Sequence, residues 1–282
     1  MRYSVFPLGL FKNRKRDGAL ISDLLPIELW RLAASYLFLI LLMTMSQLLK
    51  LGRGKEFLVA TVRMTLQLVM AGYLLEIVLS QRHILVTLAI MLFMQFFALI
   101  TIYGRVKGTI SPRLKRVVAL ALFFGTTLPL AYFMLVVIAA DPWYEPRFFI
   151  PIAGMTIGNS MTGITLGAER LAQVFQTSRA RIEEALMLGA TPQLAVREFL
   201  GETFSAAIIP TVNSMLGMGI IFIPGMMAGQ LLAGASPLGA IKYQIVIMMG
   251  ILGSVALAVY LIIQLGYRTF FNERAQLVEK VD

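Results

Sequence analysis

Along the chain, long apolar runs alternate with short polar joins. Seven apolar passages stand out, at roughly 30–49, 57–79, 84–103, 117–140, 149–169, 204–233 and 241–266. About 20 apolar residues in helical form cross the hydrocarbon core of a bilayer, and the passages match or exceed that length. The runs are continuous rather than alternating at every second residue, which predicts helices and not the strands of a membrane barrel. The expected architecture is an all-α integral membrane protein, a bundle of about seven transmembrane helices. It divides into a head at 1–28, one transmembrane domain at 29–268 carrying a polar elbow at about 170–203, and a tail at 269–282.

The sixth passage is too long for one straight crossing. At about 1.5 Å per residue it measures roughly 45 Å as a helix, against about 30 Å of hydrocarbon. The segment IFIPGMMAG (221–229) supplies a break. Pro224 lacks an amide donor and Gly225 loosens the backbone, so these two residues form the expected hinge. Broken helices survive in lipid only where protein or a water-filled cavity satisfies the freed backbone groups. The break therefore points toward a transport path. Glycines four residues apart, Gly154/Gly158, Gly163/Gly167 and Gly225/Gly229, predict close helix approach around passages five and six.

Between those passages lies a stretch of another character, EEALMLGATPQLAV (183–196). Helix is expected from about Leu166 onward. Arg179, Arg181, Glu183 and Glu184 turn it toward water. Gly189 suits the left-handed position just past a helix end. Thr191 is a good N-cap and Pro192 sits at the first helical position, where its missing donor costs nothing. One helix ends, the chain turns within about three residues, and a second helix leads back to the membrane through Phe204. A short rigid bend between two membrane helices can transmit force, whereas a floppy loop cannot. The plain alternative is an ordinary helical hairpin.

Composition changes little in this picture. The chain is 58% hydrophobic and 14% charged, with a mean hydropathy of +0.79, far from a soluble domain. The net charge is +10, but its distribution is that of the positive-inside rule and not of a nucleic-acid binder. Lys50, Arg53 and Lys55, then Arg105, Lys107, Arg113, Lys115 and Arg116, then Arg170, Arg179, Arg181 and Arg197, then Arg268, Arg274 and Lys280 occupy alternate connections, which are expected in the cytoplasm. The opposite connections hold Arg82, Arg147 and Lys242, one each. The head, with Arg2, Lys12, Arg14, Lys15 and Arg16, conflicts with this assignment. The expected location is the inner (cytoplasmic) membrane, multi-pass. Met1–Asp23 does not read as a signal peptide. There is no cysteine, so disulfides and thiolate chemistry are excluded.

Polar residues inside apolar passages are functional candidates because lipid penalises them. They are Arg63, Gln67, Gln95, Asn159, Thr162, Asn213, Gln230 and Gln244. Arg63 and Gln67 share a helix face, where Arg63 pairs with a partner or an anionic site, or snorkels to the interface. Asn159 and Asn213 either line a path or hydrogen-bond between helices. Met155, Met161, Met226 and Met227 offer soft thioethers, which suit Cu(I) better than iron, or fill gaps in packing. Hard ligands are scarce. The single histidine, His83, falls in an outer connection, and no aspartate lies within a passage. No nucleophile–base pair or metal cluster appears in any loop, so the chain is not expected to be an enzyme.

The bend resembles the EAA-type coupling loop of ABC-transporter permeases: Glu183, Ala185 and Gly189 match its spacing, and the GATP that follows is frequent there. Glu184 replaces one alanine, and Glu202 stands where a downstream proline is usual. The resemblance extends along nearly the whole chain, from about 28 to 275. VRMTLQLVMAGYLL (62–75), IPIAGMTIGNSMT (150–162), IEEALMLGATPQLA (182–195), IIPTVNSM (208–215) and PGMMAGQLLAGASPLGAIKYQI (224–245) are similar to the FetB-type iron-export permease family, which has plant relatives linked to aluminium tolerance.

The resemblance implies a membrane subunit that pairs with a separate ATP-binding cassette subunit and moves its cargo outward. Arg181, Glu183, Glu184, Ala185, Gly189, Ala190, Thr191 and Pro192 would form the coupling surface. A homodimer of the permease with two ATPase subunits is expected. The sequence agrees in lacking a phosphate loop: in LKLGRGKE (49–56) Leu49 stands where the first glycine belongs and Glu56 where the hydroxyl belongs. No cofactor is expected on this chain; ATP and Mg would act through the partner. Iron or another metal ion is the cargo the resemblance implies. A non-metal cargo such as a sugar nucleotide or lipid on the same scaffold, or secondary transport, are the alternatives.

Overall fold

The structure, a computed structural model, describes residues 28–80, 83–106 and 111–278. The basic head up to residue 27, Arg82, Lys107 and Lys280 lie outside the described residues. The helices are α1 (Leu29–Ser35), α2 (Leu37–Leu48), α3 (Gly54–Ser80), α4 (Ile84–Arg105), α5 (Pro112–Tyr132), α6 (Pro146–Thr177), α7 (Arg179–Met187), α8 (Pro192–Gly217), α9 (Gly225–Leu232) and α10 (Pro237–Gly266). Among the described residues, β-pairing is confined to isolated bridges.

Five stretches among the described residues are long and apolar enough to cross a membrane: Leu29–Leu48, Gly54–Ser80, Ile84–Arg105, Pro112–Ile138 and Pro237–Phe270. The other two expected passages lie on α6 and on α8–α9, so a count of seven is not established. α6 and α8 are long enough, at 32 and 26 residues, but richer in Gly, Ser, Thr and Asn. Interfaces between membrane helices favour small and hydroxyl residues, and α6 buries Ala153, Thr156, Ser160, Gly163, Thr165 and Ala168.

The chain divides into two compact units: the residues up to Ile77 with Gly229–Pro237, and Val78–Ala228 with Leu238 onward. In the first, the Tyr36 and Thr65 hydroxyls hydrogen-bond at 2.7 Å. The second holds the main core, in which α5, α6 and α10 meet at very short range. A Cβ on Gly125 would fall 2.5 Å from the Cα of Ala258, and one on Gly163 2.9 Å from the Val259 side chain. Ser254 Oγ donates to the Gly125 carbonyl at 2.7 Å and lies 3.2 Å from Ser160 Oγ. Gln95 Nε2 donates to the Thr126 and Thr127 hydroxyls at 2.8 and 3.1 Å, joining α4 to α5.

The glycine pattern is thus only partly the expected one. Gly163 and Gly167 sit at helix contacts, but Gly158, Gly225 and Gly229 have nothing within 4 Å of a built Cβ. The tightest crossing uses Gly125, an isolated glycine whose neighbour comes from far along the chain.

Contacts within the second unit also gather the basic connections at one end. Tyr103 Oη donates to the Lys115 carbonyl at 2.7 Å. Leu114 and Leu171 both pack over Gly266. At the opposite end Thr87 Oγ1 donates to the Tyr144 carbonyl at 3.3 Å, and Trp143 packs edge-on against Phe149. The proline Pro129 inside α5 is followed by a π-turn, Phe133–Ile138, as expected where a missing donor loosens the ladder.

Candidate functional site

The elbow forms as its turn residues dictate. α7 ends at Met187, and Gly189 takes φ +91°. The Gly189 amide donates to the Leu186 carbonyl and the Ala190 amide to the Ala185 carbonyl, each at 3.0 Å. These two bonds are the Schellman arrangement, which satisfies carbonyls that the helix end would otherwise leave open. Thr191 then caps α8, its Oγ1 accepting from the Leu194 amide at 3.4 Å, with Pro192 at the first helical position.

Packing stiffens the bend. Ile182 and Val196 are fully buried, and Phe199 nearly so, in the same cluster as the ends of α6 and α10. Arg181 lies 3.6 Å from Glu198 across the elbow and 5.3 Å over the Phe199 ring. Arg179 pairs with Glu183 at 2.8 Å and also donates to the Val278 carbonyl at 3.2 Å. Both ion pairs are substantially exposed, so each contributes little; the buried side chains hold the angle. The outer surface is apolar where a water-facing turn need not be: Met187 is 81% exposed, Leu188 84% and Leu194 60%.

The polar residues expected along a path are divided between the two units: Arg63, Gln67 and Gln230 in the first, Asn159, Thr162, Asn213 and Gln244 in the second. Met155, Asn159 and Thr162 lie on one stripe of α6, with Asn159 exposed. Asn159 Nδ2 donates to the Met155 carbonyl at 2.7 Å and Thr162 Oγ1 to the Gly158 carbonyl at 3.3 Å, so both satisfy themselves on their own helix. Met161 is partly buried against the core. Gln244 is buried and donates weakly to Met218 Sδ at 3.8 Å. Asn213 is exposed near the end of α8. Arg63 and Gln67 are exposed on α3, and Gln230 is partly buried on α9.

The expected break in passage six begins earlier than Pro224. α8 ends at Gly217, Met218 is extended, and Gly219 takes φ +86°. The Pro224 carbonyl accepts from the Ala228 amide at 2.9 Å. Pro224 and Gly225 therefore open a short helix, and the change of direction lies in residues 218–223. Met227 is buried and Met226 packs at the core's edge. Among the described residues no group of three or more His, Cys, Asp or Glu could hold a metal ion.

Sequence reasoning missed the segment that braces the elbow. Phe270 stacks on Phe175 with centroids 4.2 Å apart, and Phe271 meets the same ring edge-on at 5.7 Å. Two adjacent aromatics just past the last apolar run were the available signal.

Residues 29–271 match the model of the uncharacterised protein family UPF0014. The chain belongs to that family. It is 39% identical over 223 residues to UPF0014 membrane protein slr1647 of Synechocystis, covering 77% of this chain and 83% of that one. It is 33% identical over 247 residues, 88% of this chain and 93% of the relative, to the Escherichia coli protein named "Probable iron export permease protein FetB". It is 31% identical over 245 residues to the Arabidopsis protein ALUMINUM SENSITIVE 3, covering 87% and 88%. No solved structure matches the chain. It is a multi-pass integral membrane protein of a permease family.

Proposed function

We propose that this chain is the membrane subunit of an ATP-binding-cassette exporter that moves iron or another metal ion outward. ATP would be hydrolysed with Mg by a separate subunit. The observation that carries the reading is the α7–α8 elbow: a bend of fixed geometry, braced from behind, that presents Met187, Leu188 and Leu194 to water beside Arg181, Glu183 and Glu184. Exposed apolar side chains ringed by charges mark a surface that another protein covers. The relative named as an iron export permease supports metal as the cargo.

Two copies of the chain would form the path. The connection after α8 supports this. Ile220, Ile221 and Ile223 are exposed on irregular backbone, Ile220 at 92%. Irregular backbone is not stable against lipid and needs protein or a water-filled cavity beside it.

The test is co-expression with a candidate ATP-binding subunit. A stable complex whose ATPase activity responds to metal, and loses that response in Gly189→Pro, is the expected result. Proline cannot adopt φ +91°. Normal coupled transport by this variant would remove the elbow's role. A second reading, a non-metal cargo, draws on the lack of clustered hard ligands among the described residues. ATPase stimulation by such a cargo and not by metal would favour it.

A further inference from the structure

A groove of about 300 Å³ opens between α8 and α10 beside the elbow, lined by Gln193, Arg197, Gly201, Phe204, Tyr260 and Gln264 among others. Its chemistry is graded with depth. Gln193, Arg197, Gly201 and Phe204 follow one another at helical spacing along one face of α8, from its first turn inward. On α10, Gln264 lies in the last turn and Tyr260 one turn earlier. The end nearest the elbow is therefore amide and guanidinium, and the end nearest the membrane interior is aromatic and aliphatic.

The Arg197 side chain is exposed and makes no hydrogen bond or ion pair among the described residues. Its neighbour Glu198 is engaged by Arg181 at 3.6 Å, so that carboxylate does not neutralise it. No carboxylate lines the groove. Gly201 leaves a gap in the α8 wall, since a Cβ there would meet nothing within 4 Å. Tyr260, 53% exposed on the apolar run of α10, is the amphipathic ring favoured at the edge of a bilayer.

We propose that this groove binds one anionic phospholipid of the cytoplasmic leaflet. The headgroup phosphate sits at Arg197, Gln193 and Gln264, and an acyl chain runs past Gly201 along Phe204 and Ile263. A cationic head end with an apolar floor suits a lipid better than a soluble anion, which has no use for the floor, and basic pockets between membrane helices on this side recur as lipid sites. The bound lipid would wedge α8 against α10 one turn from the elbow. The inference needs the positive-inside orientation but not the export reading.

Native mass spectrometry of the purified chain in detergent tests it, using phosphatidylglycerol, phosphatidylcholine with the same acyl chains, and glycerol 3-phosphate. One phosphatidylglycerol should be retained per chain where phosphatidylcholine is lost. Arg197→Gln should weaken retention about tenfold or more, the scale of a charge-assisted hydrogen bond. Gly201→Phe, whose Cβ meets nothing within 4 Å and whose ring fills the gap, should abolish it while the thermal midpoint stays close to the parent's. Arg274→Gln, outside the groove, should leave it intact. Equal retention of both lipids, or of phosphatidylglycerol by both groove variants, overturns the site. Glycerol 3-phosphate retained as well as the lipid assigns the groove to a soluble anion and overturns the lipid.

Discussion

Phe175 and Phe270 lie face to face, their planes 3° apart, where the last turns of the central helix meet the segment after the final span. Both are nearly fully buried. Phe175 is two residues from the end of α6, and α7 begins at Arg179, so this stack forms the floor beneath the elbow. Phe270, Phe271 and the Val278 carbonyl brace the bend.

Phe270→Ala removes the stack and leaves a cavity. Truncating a buried Phe costs about 3–5 kcal/mol, so the thermal midpoint of the purified chain should fall sharply. Phe270→Leu, which keeps much of the volume, should lose less than half as much. An unchanged midpoint for the alanine variant would show that the segment does not brace the core.

At Gly125 a methyl group has no room, because the nearest atoms are the backbone of Ala258. Gly125→Ala must push α5 from α10 and strain the Ser254 hydrogen bond. It should reduce the yield of monodisperse protein and lower the melting point, whereas Gly158→Ala, with open space around it, should be neutral. Size-exclusion profiles of the two variants, side by side, decide the matter.

Within the elbow, contributions should rank by burial and cap geometry and not by charge. Thr191→Ala removes the cap of α8 and should cost about 1 kcal/mol. Glu198→Gln, breaking an exposed pair, should stay within about 0.5 kcal/mol of the parent. Denaturation of the three proteins measures both; a larger loss for Glu198→Gln than for Thr191→Ala would reverse the ranking.

Arg63 is an exposed cation in the first half of a 27-residue helix. A charge at a span's centre is disfavoured by about 2.5–3.5 kcal/mol on insertion scales, so Arg63→Met should insert more readily in a translocon assay. If Arg63 serves the path, that variant should also lose transport in liposomes. Better insertion with full transport would make the residue a bystander.

Much of this was readable from the chain. Gly189, Thr191 and Pro192 announce the elbow because turn chemistry is local, and each takes its expected role. The apolar passages are legible because a span's length is fixed by the bilayer. Packing partners are not local. Gly125 gives no sign that Ala258 will press on it, and Phe270 looks like the start of a solvated end. Passage six does break, but its turn opens at Met218, just ahead of 221–229, for a related reason. Proline marks where a helix can begin as readily as where one bends, and the turn lay with Gly219.

Met187 and Leu188, uncovered at the tip of the elbow, give an unassembled copy a greasy flag. Under the proposed partnership with an ATP-binding subunit, a cell making this chain in excess would carry molecules open to chaperones and membrane proteases, so abundance should track the scarcer companion. Pulse-chase lifetimes, with the companion supplied or withheld, would read that stoichiometric control directly.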